Sequence, residues 1–427
     1  MIRLLDSADN AVDAVIKKEY ADQAVYEERV REILQAVRER GDEALLEYTA
    51  RFDNAYLTPG ALRVSRDEIE VAYSEVDGEF VKAVQKAIGN ITAFHRRQLN
   101  NSWMETSADG TILGQIITPL ERVGIYVPGG TANYPSSVLM NAVPARVAGV
   151  REIVMVAPPG ADGRLQASTL VAAAEAGINE IYKAGGAQAV AALAYGTETV
   201  RRVDLISGPG NIYVTLAKKM VYGLVNIDML AGPSEVLVIA DETADPVYVA
   251  ADLLSQAEHD VLASAILLTP SRRLAESVRE EIVRQVGYLS RKEILRASLK
   301  DYSAIIVTAD LDEAVELANR YAPEHLELAV QAPFEVLGKI RNAGAIFLGH
   351  YTPEPVGDYI AGPNHVLPTG GTARFYSPLN VDTFMKKSSV ISYSAIRLHE
   401  HAGDIIRLAE TEGLDAHANA VRVRLKK

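Results

Sequence analysis

Apolar residues recur at helical spacing through the first hundred positions. Val30, Ile33, Leu34 and Val37 share one face at a period of about 3.6, which predicts a helix over roughly 26–39. Gly41 suits its C-terminal cap. Leu45, Tyr48 and Phe52 mark a second helix. Ser65 followed by Glu68 has capping-box spacing. Beyond it, Phe80, Val84, Ala87, Ile91 and Phe94 form another helical stripe. His95 beside that stripe reads as a structural or surface histidine rather than a ligand.

The pattern changes near residue 122. Short apolar runs (V-G-I-Y-V, I-V-M-V-A, E-I-Y-K-A, V-D-L-I-S) alternate with helical patterns. The alternation returns from 235 with E-V-L-V-I-A, S-A-I-L-L-T, A-I-I-V-T and G-A-I-F-L. This is the signature of βαβ units and parallel sheets. The expected fold class is α/β: two doubly wound, incomplete Rossmann-like parallel-sheet domains, an N-terminal helical arm and an extended C-terminal tail domain. Residues 1–20 form the arm. Residues 21–121 and 235–375 make a discontinuous first domain, and 122–234 an inserted nucleotide-binding domain. Residues 376–427 are the tail, with helical pieces around Ile405, Leu408 and Ala409 and around L-D-A-H-A-N-A-V. A detached apolar tail should pack on something, and the candidate is a second copy of the chain.

Composition narrows the function. At about 150 residues per domain, 427 residues suit two or three domains. The net charge of -13 argues against nucleic acid, which needs basic patches, and is compatible with a cationic small substrate. With no cysteine, disulfides, thiolate metal sites and a cysteine nucleophile are excluded. The first ten residues lack the apolar core of a signal peptide, and no run of about 18 apolar residues suggests a membrane span. A soluble cytoplasmic protein is expected.

Candidate chemistry concentrates in residues 321–371. There Y-A-P-E-H-L-E-L, N-A-G-A-I-F-L-G-H and Y-T-P-E-P-V-G-D-Y-I-A-G-P-N-H-V-L-P-T-G-G hold His325, His350 and His365, three of the eight histidines. They also hold Glu324, Glu327, Glu354 and Asp358. Glycines and prolines put these groups on turns, where catalytic groups gather. The alternative is a polar surface loop, against which the interleaved Val356, Ile360, Val366 and Leu367 argue. Glu324 and His325 are neighbours, so in extended chain they point apart. A turn at Pro323 would let both reach one substrate, with histidine the usual base near neutral pH. The alternative is a solvent-facing turn pair. In D-L-L-S-Q-A-E-H-D, Gln256 and His259 share one helical face. That signal is weak unless Asp358 and His417 converge there, where oxygen and imidazole ligands suit zinc. Three glycine turns, at 126–137, 183–188 and 207–211, close predicted strands and suit a nucleotide, although none is G-x-G-x-x-G. Tight turns alone are the alternative.

Six motifs together, G-P-G-N-I-Y-V, A-G-P-S-E, S-Q-A-E-H-D, Y-A-P-E-H-L-E-L, G-D-Y…N-H-V-L-P-T-G-G and L-D-A-H, resemble histidinol dehydrogenase from about residue 20 onward. Pro363 and Tyr351 are possible local variants. The resemblance implies oxidation of L-histidinol to L-histidine in two NAD-dependent steps through histidinal, by a homodimer with shared active sites and one Zn2+ per subunit. It implies zinc ligands Gln256, His259 and Asp358, with His417 from the partner chain. The acid–base pair would be Glu324 and His325. Substrate contacts would be Ser234, His365 and Glu412, beside the metal ligands and His325, and nucleotide contacts Tyr126, Gln188 and Asn211. The missing cysteine agrees: aldehyde oxidation cannot use a thiohemiacetal here, so water must add to the carbonyl, activated by Glu324. A zinc hydrolase and a non-catalytic nucleotide-binding protein are the rival readings.

Overall fold

The structure, a computed structural model, describes residues 2–17, 24–129 and 133–425. The predicted first stripe is the helix Ala24–Arg40, burying Val30, Ile33, Leu34 and Val37. Gly41, at φ 54°, links it directly to the helix Asp42–Asp53. A left-handed link without a side chain turns the chain between two helices at low steric cost. Ser65 forms the expected capping box: its Oγ accepts from Glu68 N at 3.2 Å, and Glu68 Oε2 accepts from Ser65 N at 2.9 Å. The helix Gly78–Arg96 buries Val84, Ala87, Ile91 and His95. His95 is structural, its Nδ1 lying 2.8 Å from the Ile91 carbonyl.

Two parallel sheets carry the larger of two compact units, residues 1–98 with 120–384. One sheet runs, in spatial order, Glu180–Lys183, Glu152–Ala157, Arg122–Tyr126, Leu205–Ser207 and Asn226–Ile227. Numbered along the chain, that order is 3-2-1-4-5. The other sheet begins at the edge with Arg3–Asp6. It continues Ala304–Val307, Ser264–Thr269, Glu235–Ala240, His325–Ala329 and Ala345–Leu348. Without its edge strand, this is 3-2-1-4-5 again. In both, the first strand is central and the chain winds outwards twice. Glu235–Ala240 and His325–Ala329 are buried at every residue, as strands covered on both faces must be.

The N-terminus departs from the expected helical arm. Arg3–Asp6 adds to the sheet edge in parallel register with Ala304–Val307, and a helix, Asn10–Lys17, follows. Four residues are too few for periodicity to declare a strand. An open sheet edge, with unpaired amides and carbonyls, supplies the partner. Residues 18–20 of the expected arm lie outside the described residues.

The smaller unit joins residues 99–119 to 385–427. Ile112–Pro119 pairs antiparallel with Met385–Ser392 along its whole length, and Trp103–Thr106 pairs on the other side. The tail therefore shares its sheet with a segment that the sequence reading assigned to the first domain. Two helices complete it, Ala395–Thr411 and Asp415–Arg422, separated at Gly413 with φ 73°. Trp103, Met104, Leu113, Ile391, Ile396 and Leu408 are exposed on this unit.

Candidate active site

The candidate motifs meet at the amino ends of two adjacent strands. His325 lies opposite Val236, which brings Glu324 beside Glu235. The two acids bind each other's backbone. Glu235 N donates to Glu324 Oε2 at 2.8 Å, and Glu324 N to Glu235 Oε2 at 3.3 Å. Gly370 N donates to Glu235 Oε1 at 3.0 Å. The Glu235 carbonyl accepts from His325 Nδ1 at 3.1 Å. A carbonyl only accepts, so this contact calls for a proton on Nδ1. Nε2 is buried without a hydrogen-bond partner. It faces Asp358 Oδ1 at 3.8 Å and Glu354 Oε1 at 4.0 Å. Gln256 Nε2 is 3.0 Å from His325 Nδ1, while its Oε1 is buried and unpartnered.

Three of these groups, His325, Glu354 and Asp358, can present ligand atoms all within 4.8 Å of one another. Of the expected zinc ligands, the structure places Gln256 and Asp358 around His325, and the Asp358 charge acts on His259. The helix Pro246–Ala257 ends before His259, against the expectation of one helical face. The residue sits in a turn closed by His259 N to Gln256 O, at 3.1 Å. Tightened i→i+3 closure is how helices often finish, and it re-aims the side chain. His365 lies beside Asp358, its Nδ1 3.1 Å from that residue's carbonyl. Ser234 immediately precedes the Glu235 strand. Glu412 and His417 are both exposed on the smaller unit. His350 pairs with Thr243 at 3.3 Å, on the surface.

A cavity of about 350 Å³ adjoins the cluster. His325, Asp358 and His365 line one side, with Phe94, Phe347 and Leu379 among its apolar walls. Glu327 and Asp252 lie behind the cluster, and Glu327 Oε1 accepts from Glu354 N at 2.9 Å. Sequence reasoning placed Glu327 and Glu354 in the candidate stretch without a role, and did not single out Glu235 or Asp252. Alternation is blind to Glu235, because a strand buried on both faces hides an acid as readily as a valine.

Burial governs the electrostatics. It pushes Glu324 up to about 8 and Glu354 up to about 7, despite the opposing His325 charge. It raises Asp252 to about 6 and drives Glu327 well above the carboxylate range, reinforced by Asp252. For His325, burial disfavours the charge, but Glu354, Glu324 and Asp358 outweigh it and hold the imidazole well above its usual value. Burial likewise opposes ionisation of Asp358, but the facing His325 imidazole and the charges of His365 and His259 keep its value low.

The glycine turns close the strands of the other sheet. Tyr126, the last residue of Arg122–Tyr126, accepts from Gly186 N at 3.1 Å through its hydroxyl. Gln188 is buried near the start of the helix Gly186–Tyr195, and both its amide atoms lack partners. Asn211 caps the helix Ile212–Val221, accepting from Tyr213 N at 3.1 Å and Val214 N at 3.3 Å. Gly208, at φ 114°, is clamped between two members of a buried ion pair. Its N donates to Asp228 at 2.7 Å and its carbonyl accepts from Lys218 at 3.0 Å. Gly130, Thr131 and Ala132 of the first turn lie outside the described residues.

A strand-and-turn scaffold with a buried histidine–carboxylate centre is the setting of an enzyme. Comparison with known proteins says which kind. A family model described as histidinol dehydrogenase matches residues 16–425. Histidinol dehydrogenase of Heliobacterium mobile is 63% identical over 427 residues, covering 100% of both chains. That of Moorella thermoacetica is 62% identical over 396 residues, covering 93% of each. The crystal structure of histidinol dehydrogenase from Elizabethkingia anophelis superposes with a TM-score of 0.93 at 40% identity, covering 100% of this chain and 98% of the other. The chain belongs to the histidinol dehydrogenase family, a family of oxidoreductases. This sets aside the hydrolase and non-catalytic readings.

The raised carboxyl of Glu324 makes stability depend on pH. Unfolded, a glutamate titrates near 4.5; here it titrates near 8. Between those values the folded state holds more protons, so its stability falls as pH rises. Glu324→Gln removes that dependence. In metal-free protein, the urea midpoint of the variant relative to the parent should climb steadily from pH 5 to pH 8. A difference that stays constant over the range would mean that Glu324 titrates as an ordinary carboxyl.

Proposed function

We propose that this chain oxidises L-histidinol to L-histidine in two NAD-dependent steps through histidinal. It would act as a cytoplasmic homodimer with one zinc ion per subunit. The observation that carries this reading is the buried Glu324–His325 pair, with Asp358 and Gln256 around it and glycine turns on the neighbouring sheet. No described helix is long and apolar enough to cross a membrane.

The donors fit zinc. Gln256 Oε1 is buried without a partner, Asp358 keeps a low carboxyl value, and His259 lies within reach of its charge. Oxygen and imidazole ligands suit this ion. His417 would complete the set from the partner chain, with Glu412 contacting the same substrate. Their exposure, and the exposed apolar residues of their unit, support docking on a second copy. Ser234 and His365 would contact substrate beside the metal ligands. Tyr126, Gln188 and Asn211 would contact NAD.

When bound, zinc would hold the substrate's nitrogen atoms and offset the carboxylate charge around His325, and NAD would accept hydride. His325 does the proton work. Its Nδ1 is held at the Glu235 carbonyl; once the bound cation offsets the carboxylates that keep the imidazole charged, Nε2 is free to take the alcohol proton in the first oxidation. In the second, Glu324 draws a proton from the water that adds to the aldehyde, and His325 takes the hydrate's hydroxyl proton. A base titrating near 8 is well matched to neutral pH. The apolar cavity walls limit competing water.

Three experiments bear on this reading. Complete conversion of L-histidinol should yield two NADH per substrate and histidine as product; accumulation of histidinal as sole product would rule out the four-electron reaction. His325→Asn should cut turnover about 10²–10⁴-fold, the range for losing a general base, while zinc content stays at the parent level. Zinc loss in that variant would instead place His325 with Glu354 and Asp358 as a ligand. Separately, His417→Ala and His259→Ala should each be nearly inactive, yet refolding them together should restore activity. In a mixed dimer one site inherits both defects and the other neither, as two-fold symmetry requires. Mixtures as inactive as their parents, despite proven subunit exchange, would place His417 within its own chain.

A further inference from the structure

One acid near the glycine turns has no structural employment. Asp53 is the last residue of the helix Asp42–Asp53. Its Oδ2 is buried without a hydrogen-bond partner. A negative charge at a helix's carboxyl end opposes the helix dipole. Burial opposes it further, pushing the carboxyl up to about 6, which still leaves it ionised at neutral pH. A residue that costs stability twice over, and gains no bond in return, points to a ligand.

Topology says which ligand. The helix Asp42–Asp53 packs against Gly186–Tyr195. Asp42 N donates to Glu198 at 2.8 Å, and Thr199 N to Asp42 at 3.4 Å, just past the carboxyl end of the second helix. The two helices are of similar length and run in opposite senses, so Asp53 emerges at the Gly186 end. Electrostatics agrees: burial, with the Asp53 charge adding, pushes the Tyr126 phenol up to about 12, and that phenol sits on Gly186 N. Unpartnered Gln188 begins the same helix. An orphan carboxylate oxygen and two orphan amide atoms thus gather at one nucleotide-type turn.

In dinucleotide folds an acid at the end of the second strand takes the ribose hydroxyls. Here that strand, Glu152–Ala157, runs into Pro158 and Pro159, with no acid. Other acids nearby are committed: Asp228 to Lys218 and Gly208, Asp162 to Arg164 N. We propose that Asp53 takes over this role, accepting from the ribose diol of the cofactor's adenosine half and repelling a 2′-phosphate. It would thereby set a preference for NAD over NADP. This rests on the NAD-dependent reading above.

The test compares the parent enzyme with Asp53→Asn and Asp53→Ser, using NAD and NADP as cofactors and fluorescence titration with NADH and NADPH. Removing a charge opposed by the helix dipole should leave melting unchanged or raised. In both variants KM for NAD should rise while kcat stays within about threefold. The NAD-to-NADP ratio of kcat/KM should fall at least about tenfold, since losing a repulsive group relaxes discrimination. A ratio unchanged in folded variants overturns the assignment, as does an Asp53→Asn chain that melts well below the parent, which would make Asp53 structural. A parent enzyme that uses neither cofactor would instead overturn the underlying nucleotide reading.

Discussion

Two carboxyl groups that each accept the other's backbone amide hold the candidate active site of this molecule together. Glu235 and Glu324 begin adjacent parallel strands, where amides have lost their ladder partners. A buried amide without a partner costs as much as a lost hydrogen bond. The side chains supply what the ladder cannot. A third amide, Gly370 N, ties the loop after the catalytic stretch to the same pair. The Glu235 carbonyl then fixes His325. One reciprocal clasp therefore sets strand register, loop position and imidazole tautomer together. Its two members are 89 residues apart in the chain, so the site exists only once both strands have paired.

The repeated strand order gives one chain two similarly built sheets. In each sheet the central strand is laid first and the chain winds away on both sides. The glycine turns lie at the carboxyl ends of one sheet, where open parallel sheets receive ligands. The catalytic groups lie at the amino ends of the other. A short connection from Asn226–Ile227 to Glu235 carries the chain from one to the other. Gly232 N donates to the Thr369 hydroxyl, so that connection is held by the loop bearing the catalytic clasp. The glycine turns and the buried histidine–carboxylate cluster thus share one compact unit.

Periodicity made the scaffold legible. Runs such as E-V-L-V-I-A and the stripe Val30, Ile33, Leu34, Val37 each state a period, and their elements are the ones observed. The Ser65–Glu68 box was legible because capping chemistry is local. Where the reading missed, long-range pairing decided. Arg3–Asp6 is a strand because Ala304–Val307 leaves an edge open. Residues 99–119 belong with the tail because Met385–Ser392 pairs with them. His259 leaves the helical face because the helix closes early. Motif resemblance singled out Glu324 and His325 but not all that surrounds them. Glu235 and Glu327 lie on adjacent strands, and Glu354 N donates to Glu327 from the start of a helix; no sequence interval encodes either approach.

That convergence has an electrostatic consequence. Within ion-pair distance, Glu324, Glu354 and Asp358 meet histidines. Asp252 and Glu327 add further acid behind them. Burying this many carboxylates in ionised form would cost several kcal/mol each after relaxation. The molecule has two escapes. It can keep protons on the acids, which is what the raised values of Glu324, Glu327 and Glu354 describe. Or it can admit a cation, which releases those protons as it binds. A metal ion and a substrate bearing an ammonium group are both cations, and either discharges the same strain. The buried acidity is thus a standing electrostatic bias towards cations. Beside these acids, Gln256 Oε1 is buried, neutral and unpartnered, a donor that needs no deprotonation to meet a cation.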